Sequence, residues 1–577
     1  HEVPFVDKSV LPEWNQAWAY PEIRIANPTD FFEDIERRYG KELPTLTGDL
    51  NNFSADYATI DPESQSWKRH AARTLPFSEG LFVVAGFLDS SLMPVTARVS
   101  RIWTQIFDYD EHSWPTQPKA ADMHLFNAAW VKKQGALRAR DDANDLLDQG
   151  WNHLVRNIPT GPTPAVVVMN PLAHERTDVA VVKGNFSAVI DSTSGKEMPC
   201  QKVDDGQCVF IAPNIPAYGY KVFRPAPQIT HPTADIQISA STDEIANAFY
   251  RIHFDHVTGN IKSIIDLGSG RELVDLKSGY QFNQFVNVHK NSRESKEGFE
   301  HVPTKVTGIA SSACPVKAKF ESWIDESRTG AAIHQTVTVY AGIGRIDITN
   351  QIEHARPMFT NDCKARYRDN IFYAFPVAVP GGQPRAEYAG GVVRPYDDQL
   401  RWGSHDYLSA NRWVDVSTPS YGVTFAPWNE SIFEFGEIRY NRFSIDYKPN
   451  RPYLVSDAGS NRIAGLLMLN YKEANATVSY SIAAQECDWN SGAASRLGWS
   501  VASPLVARVV APHAGRQLDT KQMSFLSIDQ PNIQFTVLKA SEQAGNGWIT
   551  RFVETAGRAT DFTFISLFPV REAWSCD

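Results

Sequence analysis

The stretch Asp108-Tyr109-Asp110-Glu111-His112-Ser113-Trp114 packs three carboxylates, an imidazole and an indole into seven residues. An imidazole or a carboxylate can complete a zinc shell, and a neighbouring carboxylate can hold sugar hydroxyls. Trp114 offers a flat apolar face for the C–H side of a pyranose. The run also fits a plain acidic helix N-terminus, where carboxylates favour the dipole and no metal is needed. A second polar and aromatic group, Arg394-Pro395-Tyr396-Asp397-Asp398 and Arg401-Trp402-Gly403-Ser404-His405-Asp406, reads on its own as a solvated loop. Other chemistries find little support. There is no Gly-x-Ser-x-Gly elbow for a hydrolytic serine, and Gly381-Gly382 and Gly390-Gly391 stand between strand-like runs with no following helix to cradle phosphate.

The elements that must carry these residues divide by hydrophobic period. Trp67 to Phe87, Val95 to Ile106 and Met123 to Leu154 repeat apolar residues at three- and four-residue steps, predicting three antiparallel helices in a bundle. The Asp108 run falls at the break between the second and third. Past Ile158-Pro159-Thr160-Gly161-Pro162-Thr163-Pro164 the period changes to short β-branched and aromatic runs between turn residues. Ala165–Met169, Ala188–Ile190, Val209–Ile211 and Tyr220–Phe223 are strands of that kind, predicting β-sandwiches. A second linker near Pro225 to Thr233 separates a small β domain from a longer β region. Upstream, Phe31 to Tyr39 predicts a helix capped by Thr29 or Asp30, and Leu43 to Leu50 a strand running into a loop. A lone helix–strand pair cannot bury its own apolar face, so it reads as the tail of an α/β unit.

Bulk properties narrow the partners. A chain of 577 residues is too long for one core and predicts three or four domains. The net charge of -10 argues against nucleic acid or an anionic membrane surface as partner, and no apolar run approaches a bilayer span. Aromatic residues make up 11%, a supply that suits sandwich cores first and sugar platforms second. Among the six cysteines, Cys200 and Cys208 flank a turn-rich stretch that a hairpin-closing bridge would span, and no CxxC spacing suggests a zinc knuckle. Sequons at Asn52, Asn185, Asn429 and Asn475 permit secretion. The opening His1-Glu2-Val3-Pro4 is neither an initiator Met nor a signal segment, so a processed product or part of a longer one is expected.

Ordered matches along the chain carry a resemblance. Leu43 to Leu50 with Tyr57 and Lys68-Arg69, Asn170-Pro171-Leu172 with Arg176-Thr177, and Pro216 to Tyr220 come first. Asn247 to Asp255 with Gly259-Asn260-Ile261, Arg412 to Val416 with Gly422-Val423, and Val537 to Glu554 follow. In this order they resemble the class II α-mannosidases, glycoside hydrolase family 38, from the end of the catalytic barrel onward. The "DEHSW" run looks like a subgroup's "DEHTW".

The resemblance implies an α+β multidomain chain, mostly β. It would comprise a remnant of an α/β barrel (1–62), a three-helix bundle (63–158), a small β domain (165–225) and a large galactose mutarotase-like β-sandwich region (234–577). It also implies a zinc-dependent retaining exo-glycosidase whose catalytic nucleophile lies upstream of His1, leaving this chain inactive alone. Zn(2+) would be held by His112 and Asp110, with Glu111, Trp114, Asp108, Tyr57, Arg401 and Trp402 toward substrate. The implied partners are a carbohydrate substrate and an N-terminal barrel chain or segment. Homo-oligomers are compatible with it, and the location would be secreted or lumenal, extracellular or lysosomal/vacuolar. A non-catalytic carbohydrate-binding or structural sandwich protein is the alternative.

Overall fold

The computed structural model describes residues 10–48, 61–111, 123–203, 206–230, 237–290, 299–301, 304–325, 331–355, 370–388, 390–395, 397–400, 408–429, 432–435, 462–468, 474–515, 517–542 and 547–575. The chain forms two units, His1–Asp49 and Leu50–Asp577.

The first unit holds helices α1 (Val10–Ala17) and α2 (Pro28–Tyr39). None of its described residues is buried, and Trp18, Phe31 and Phe32 are exposed. That agrees with the expectation that it cannot bury its own apolar face. The cap of α2 is Asn27 rather than Thr29 or Asp30. Its side chain accepts from the Asp30 N–H at 2.9 Å while Asp30 accepts back from the Asn27 N–H, a reciprocal capping box. Over its described residues, the predicted strand Leu43–Leu50 is irregular chain. Pro44 lacks a ladder donor, and among the described residues of this unit no strand pairs with the segment.

The second unit begins with the bundle: α3 (Pro62–Leu88), α4 (Thr96–Asp110) and α5 (Met123–Val155). Asp61 caps α3 by accepting from the Ser64 N–H at 3.2 Å, and Pro62 sits in the first turn where its missing N–H costs nothing. Leu75 of α3, Ile102 and Ile106 of α4 and Ala139, Ala143 and Leu146 of α5 form one buried cluster. Gly150 lets α3 and α5 close up, since a Cβ there would meet Leu81 Cβ at 2.9 Å. By length and composition α3 could cross a bilayer, contrary to the sequence expectation. Half of its apolar window is buried in the molecule, however, and the helix as a whole carries Lys68, Arg69, Arg73 and Glu79, as in a core helix.

Next comes a small two-sheet domain. Its first sheet runs Val506–Val510, Ala165–Asn170, Gly219–Ala226, Ala188–Asp191, Glu197–Pro199, with Gln522–Ser524 also paired to Gly219–Ala226. The second contains Arg176–Lys183, Gln207–Ile215 and Gln201–Val203. Residues 506–524 therefore complete the small domain, although the sequence places them within the large sandwich region. The expected Cys200–Cys208 bridge is absent: both are free thiols. The hairpin register sets Cys208 opposite Lys202, not Cys200. The buried Cys208 thiol points instead at the Gly184 carbonyl, 3.0 Å away.

The large sandwich is built on a nine-stranded antiparallel sheet. At its centre lie Ile343–Ala355, Ala474–Gln485, Tyr421–Pro427 and Val414–Thr418. A six-stranded sheet including Gln284–Lys290, Asn370–Pro376 and Ile432–Phe435 and a five-stranded one including Tyr250–Phe254 and Ile261–Asp266 share its core. Aromatics fill it: Phe254 stacks on Phe320 at 3.6 Å, and Phe375 meets Phe282, Phe425 and Tyr480 at 5.0–5.2 Å. The mostly-β, multidomain expectation holds. A last helix, α6 (Ala493–Ala502), leads back toward the small domain.

Candidate functional site

The apolar face of α4 continues through Val99, Ile102, Ile106 and Tyr109, all buried, and the Tyr109 hydroxyl lies 3.0 Å from Ser64 Oγ. Helical spacing then turns Asp108 and Asp110 outward, and both are exposed, as is Glu111 at the C-cap. The acidic run thus stands at a helix C-terminus, not at the N-terminus that the metal-free reading supposes. Carboxylates in the last turn oppose the macrodipole, at a cost of about 0.3–1 kcal/mol each.

Two lysines offset that cost. Lys68 Nζ on α3 lies 2.7 Å from Asp110 Oδ1. Lys132 Nζ on α5 donates to the Asp108 carbonyl at 3.0 Å, to the Tyr109 and Glu111 carbonyls and to Glu111 Oε2 at 3.2 Å, capping the helix end. Burial lowers the Lys68 pKa, and Asp110 works against that drop. Lys133 spans Asp61 and Glu63 at 3.3 and 2.8 Å beside this cluster.

Of the residues predicted from sequence, the structure therefore gathers Asp108, Asp110 and Glu111. His112, Trp114, Tyr57, Arg401 and Trp402 lie outside the described residues. In the other polar group, Arg394 folds back on Asp398 through its N–H at 2.7 Å and its guanidinium at 2.7 and 2.9 Å, a self-contained turn. Among the described residues, no three His, Cys, Asp or Glu side chains cluster as a metal site would require.

A group that the sequence reading passed over lies beside Lys68. Between α3, the turn before Val414–Thr418, α6 and the strand Trp548–Glu554 opens a cleft of about 420 Å³. Arg69 donates to the Asn411 carbonyl at 2.9 Å, and Arg73 to the Trp428 and Pro427 carbonyls at 2.7 and 3.0 Å. Together they tie the bundle to two ends of sandwich strands. Arg412 lies 2.7 Å from Glu387 Oε1 and 3.6 Å above the Trp499 ring. Burial raises the Glu387 pKa, with Arg412 opposing. Burial also drives Arg73 well below the usual guanidinium range, and Arg69 and Arg412 add repulsion. One signal was present in the sequence: Lys68, Arg69 and Arg73 interrupt an otherwise apolar helix.

Residues 245–427 match the family model described as "Glycosyl hydrolases family 38 C-terminal domain". No curated protein matches the sequence. Among solved structures, an alpha-mannosidase from Enterococcus faecalis V583 superposes with a TM-score of 0.71 at 14% identity, covering 96% of this chain and 70% of its own. A protein in the glycosyl hydrolase family 38, also from Enterococcus faecalis, gives 0.70 at 14% identity, covering 97% and 72%. The matched segment runs from the strand Glu244–Asn247 to Pro427, whose carbonyl Arg73 holds, and the Asp108–Glu111 run lies outside it. By sequence, residues 245–427 match the family 38 C-terminal domain model, and the chain shares its fold with the alpha-mannosidase and the family 38 protein from Enterococcus faecalis.

Proposed function

We propose that this chain is the bundle-and-sandwich part of a retaining exo-glycosidase of the α-mannosidase type, working on glycans together with an N-terminal barrel in a secreted or lumenal setting. The observation that carries the reading is the family 38 domain match over residues 245–427, on a fold that follows an alpha-mannosidase through the bundle as well. In this chemistry one carboxylate attacks the anomeric carbon and a second carboxylic acid protonates the leaving oxygen, the two about 5 Å apart. The attacking Asp belongs to the barrel. The contribution of this chain is the α4 terminus, where Lys68 and Lys132 hold Asp110 and Glu111 in place. There Glu111, Asp108 and Trp114 would meet sugar hydroxyls and a pyranose face, with Tyr57, Arg401 and Trp402 at the margin of the site.

Zinc, when bound in such an enzyme, orients the hydroxyls beside the reacting carbon. Asp110 and His112 are suitable donors by type, yet Asp110 here answers Lys68 and the described residues form no cluster of three. Two donors cannot close a four-coordinate shell, so the remainder of the shell belongs to the barrel. The sequon at Asn185 is exposed, as a secreted chain's glycan site must be. At Asn429 the amide instead donates to the Thr477 carbonyl and accepts from Ser66.

Metal analysis tests the proposal. Native protein purified with its partner segment should carry zinc, and D110N with H112A should lose both the metal and the hydrolysis of aryl α-mannosides. Zinc-free native protein whose activity survives D110N, E111Q and H112A together would sink it.

A further inference from the structure

Helix α3 turns Glu79, Phe82, Val83 and Gly86 to one side, since residues three, four and seven apart share a face. Over that face, between the turn after α3 and the facing ends of the strands Ile533–Ala540 and Trp548–Glu554, opens a cavity of about 270 Å³. Phe87, Leu92, Met93 and Trp548 make most of the remaining wall. Phe87 stacks on Phe568 at 4.0 Å and meets Trp548 edge-on at 6.1 Å, so the wall is held from behind. Among the described residues that line it, Glu79 is the one titratable side chain, and it is 7% exposed. No hydrogen bond or ion pair reaches its carboxyl among the described residues. The two charges that act on it, Lys539 and Glu542, pair with each other at 2.6 Å. The buried Tyr218 hydroxyl, which feels the Glu79 charge, has no hydrogen-bond partner either.

A lone carboxyl on such a wall is unfavourable until a partner arrives, because burial penalises its charge and removes the bonds that water gave it. Burial holds its pKa up to about 7, against the pull of Lys539. An ammonium seated beside it supplies both the counter-charge and the donor. The aromatic rings favour the same partner, since a cation is drawn to a ring face. Gly86 keeps the space open. A glycine inside a helix costs about 1 kcal/mol relative to alanine, yet a Cβ added here would meet no atom within 4 Å, so packing does not require it. The volume limits the body of the ligand to about one ring with a short arm. We propose that this cavity binds a small primary amine with an apolar body, the ammonium on Glu79 and the hydrocarbon against Phe82, Phe87 and Trp548. The site needs neither barrel nor metal, so it stands apart from the glycosidase reading.

Calorimetric titration of the full chain at pH 8 tests it, with benzylamine as the probe and benzyl alcohol as its neutral counterpart. Saturable binding of benzylamine is expected, with benzyl alcohol weaker by about tenfold or more. E79Q keeps the shape and removes the charge, so it should weaken benzylamine by about tenfold or more and leave benzyl alcohol unchanged. G86L sends a side chain into the open space and should abolish binding of both. Glutamine matches glutamate in shape and the Gly86 side faces open space, so both variants should fold, which melting temperatures no lower than wild type at pH 8 verify. Absence of saturable binding at millimolar benzylamine, equal affinity in wild type and E79Q, or benzyl alcohol binding as tightly as benzylamine overturns the proposal. Undiminished binding in folded G86L places the amine elsewhere and overturns it too.

Discussion

Replacing Asp178 with asparagine removes one carboxylate from a buried four-charge cluster that joins the small β domain to the large sandwich. Asp178 Oδ1 accepts from Arg345 at 2.9 Å and Oδ2 faces Arg176 at 3.4 Å, while Arg345 also pairs with Asp347 at 2.9 Å. Arg176 further donates to the Ser500 and Ser503 carbonyls at the end of α6. The side chains of Arg176, Asp178 and Arg345 are at most 8% exposed. Burial lowers Arg176 to about 10, and Asp178 works against that drop. Two guanidiniums and two carboxylates balance in the native cluster, so D178N strands one buried positive charge. Breaking such a pair costs about 3–5 kcal/mol. Urea unfolding followed by tryptophan fluorescence should show the midpoint fall at unchanged slope. Adding R176M to D178N leaves the neutral Arg345–Asp347 pair, so the double variant should cost less than the sum of the singles by about 1–3 kcal/mol. A D178N penalty within about 0.5 kcal/mol, typical of a surface change, or strict additivity in the double variant, would refute the reasoning.

Glu79 gives a pH prediction. It is 7% exposed, and burial raises its pKa to about 7, with Lys539 opposing and Glu542 adding. A raised folded value means that the folded state holds the proton while the unfolded chain has released it. Stability should therefore fall as pH rises from about 4.5 to about 7, by at most about 3 kcal/mol. E79Q should gain on wild type at pH 8 relative to pH 5 in thermal unfolding, and an equal difference at both would contradict this. Gly80 is a second test. A Cβ there would come 1.9 Å from the hydroxyl of Tyr218, which is 3% exposed. G80A should cost about 1–3 kcal/mol in the same denaturation assay, and a neutral result would show that Tyr218 can withdraw.

The helices of the bundle were legible because Leu75, Ile102 and Ala143 keep a strict period into one core, and the structure moves their ends by a few residues only. The same period, followed through Ile106 to Tyr109, already places Asp108 and Asp110 inside a helix end rather than at its start. Helix α1 escaped notice because eight residues with no buried face lean on local bonds, Trp14 to the Pro21 carbonyl and Asn15 to Ile23. Residues on which the sequence resemblance rests are structural locks. Asn170 bridges the His174 and Pro216 carbonyls, Asn247 the Tyr340 and Ile343 carbonyls, and Glu554 the turn at Ala556 and Arg558. They identify the fold because buried amides leave few alternatives, and they say little about the chemistry. The basic cleft was illegible as a site because Arg73, Glu387, Arg412 and Arg551 meet only through the packing of bundle on sandwich.

The central claim is that this chain serves a glycosidase whose attacking carboxylate lies on a barrel. The most direct measurement is native mass spectrometry of the protein from its source, with aryl α-mannoside hydrolysis assayed across the same fractions. Activity should travel only with particles that carry a further polypeptide, covalent or associated, of roughly thirty kilodaltons, about one domain. Hydrolysis by a particle of this chain's mass alone would contradict it. So would a barrel-free particle that binds glycans and never cleaves them, which would return the chain to the carbohydrate-binding alternative.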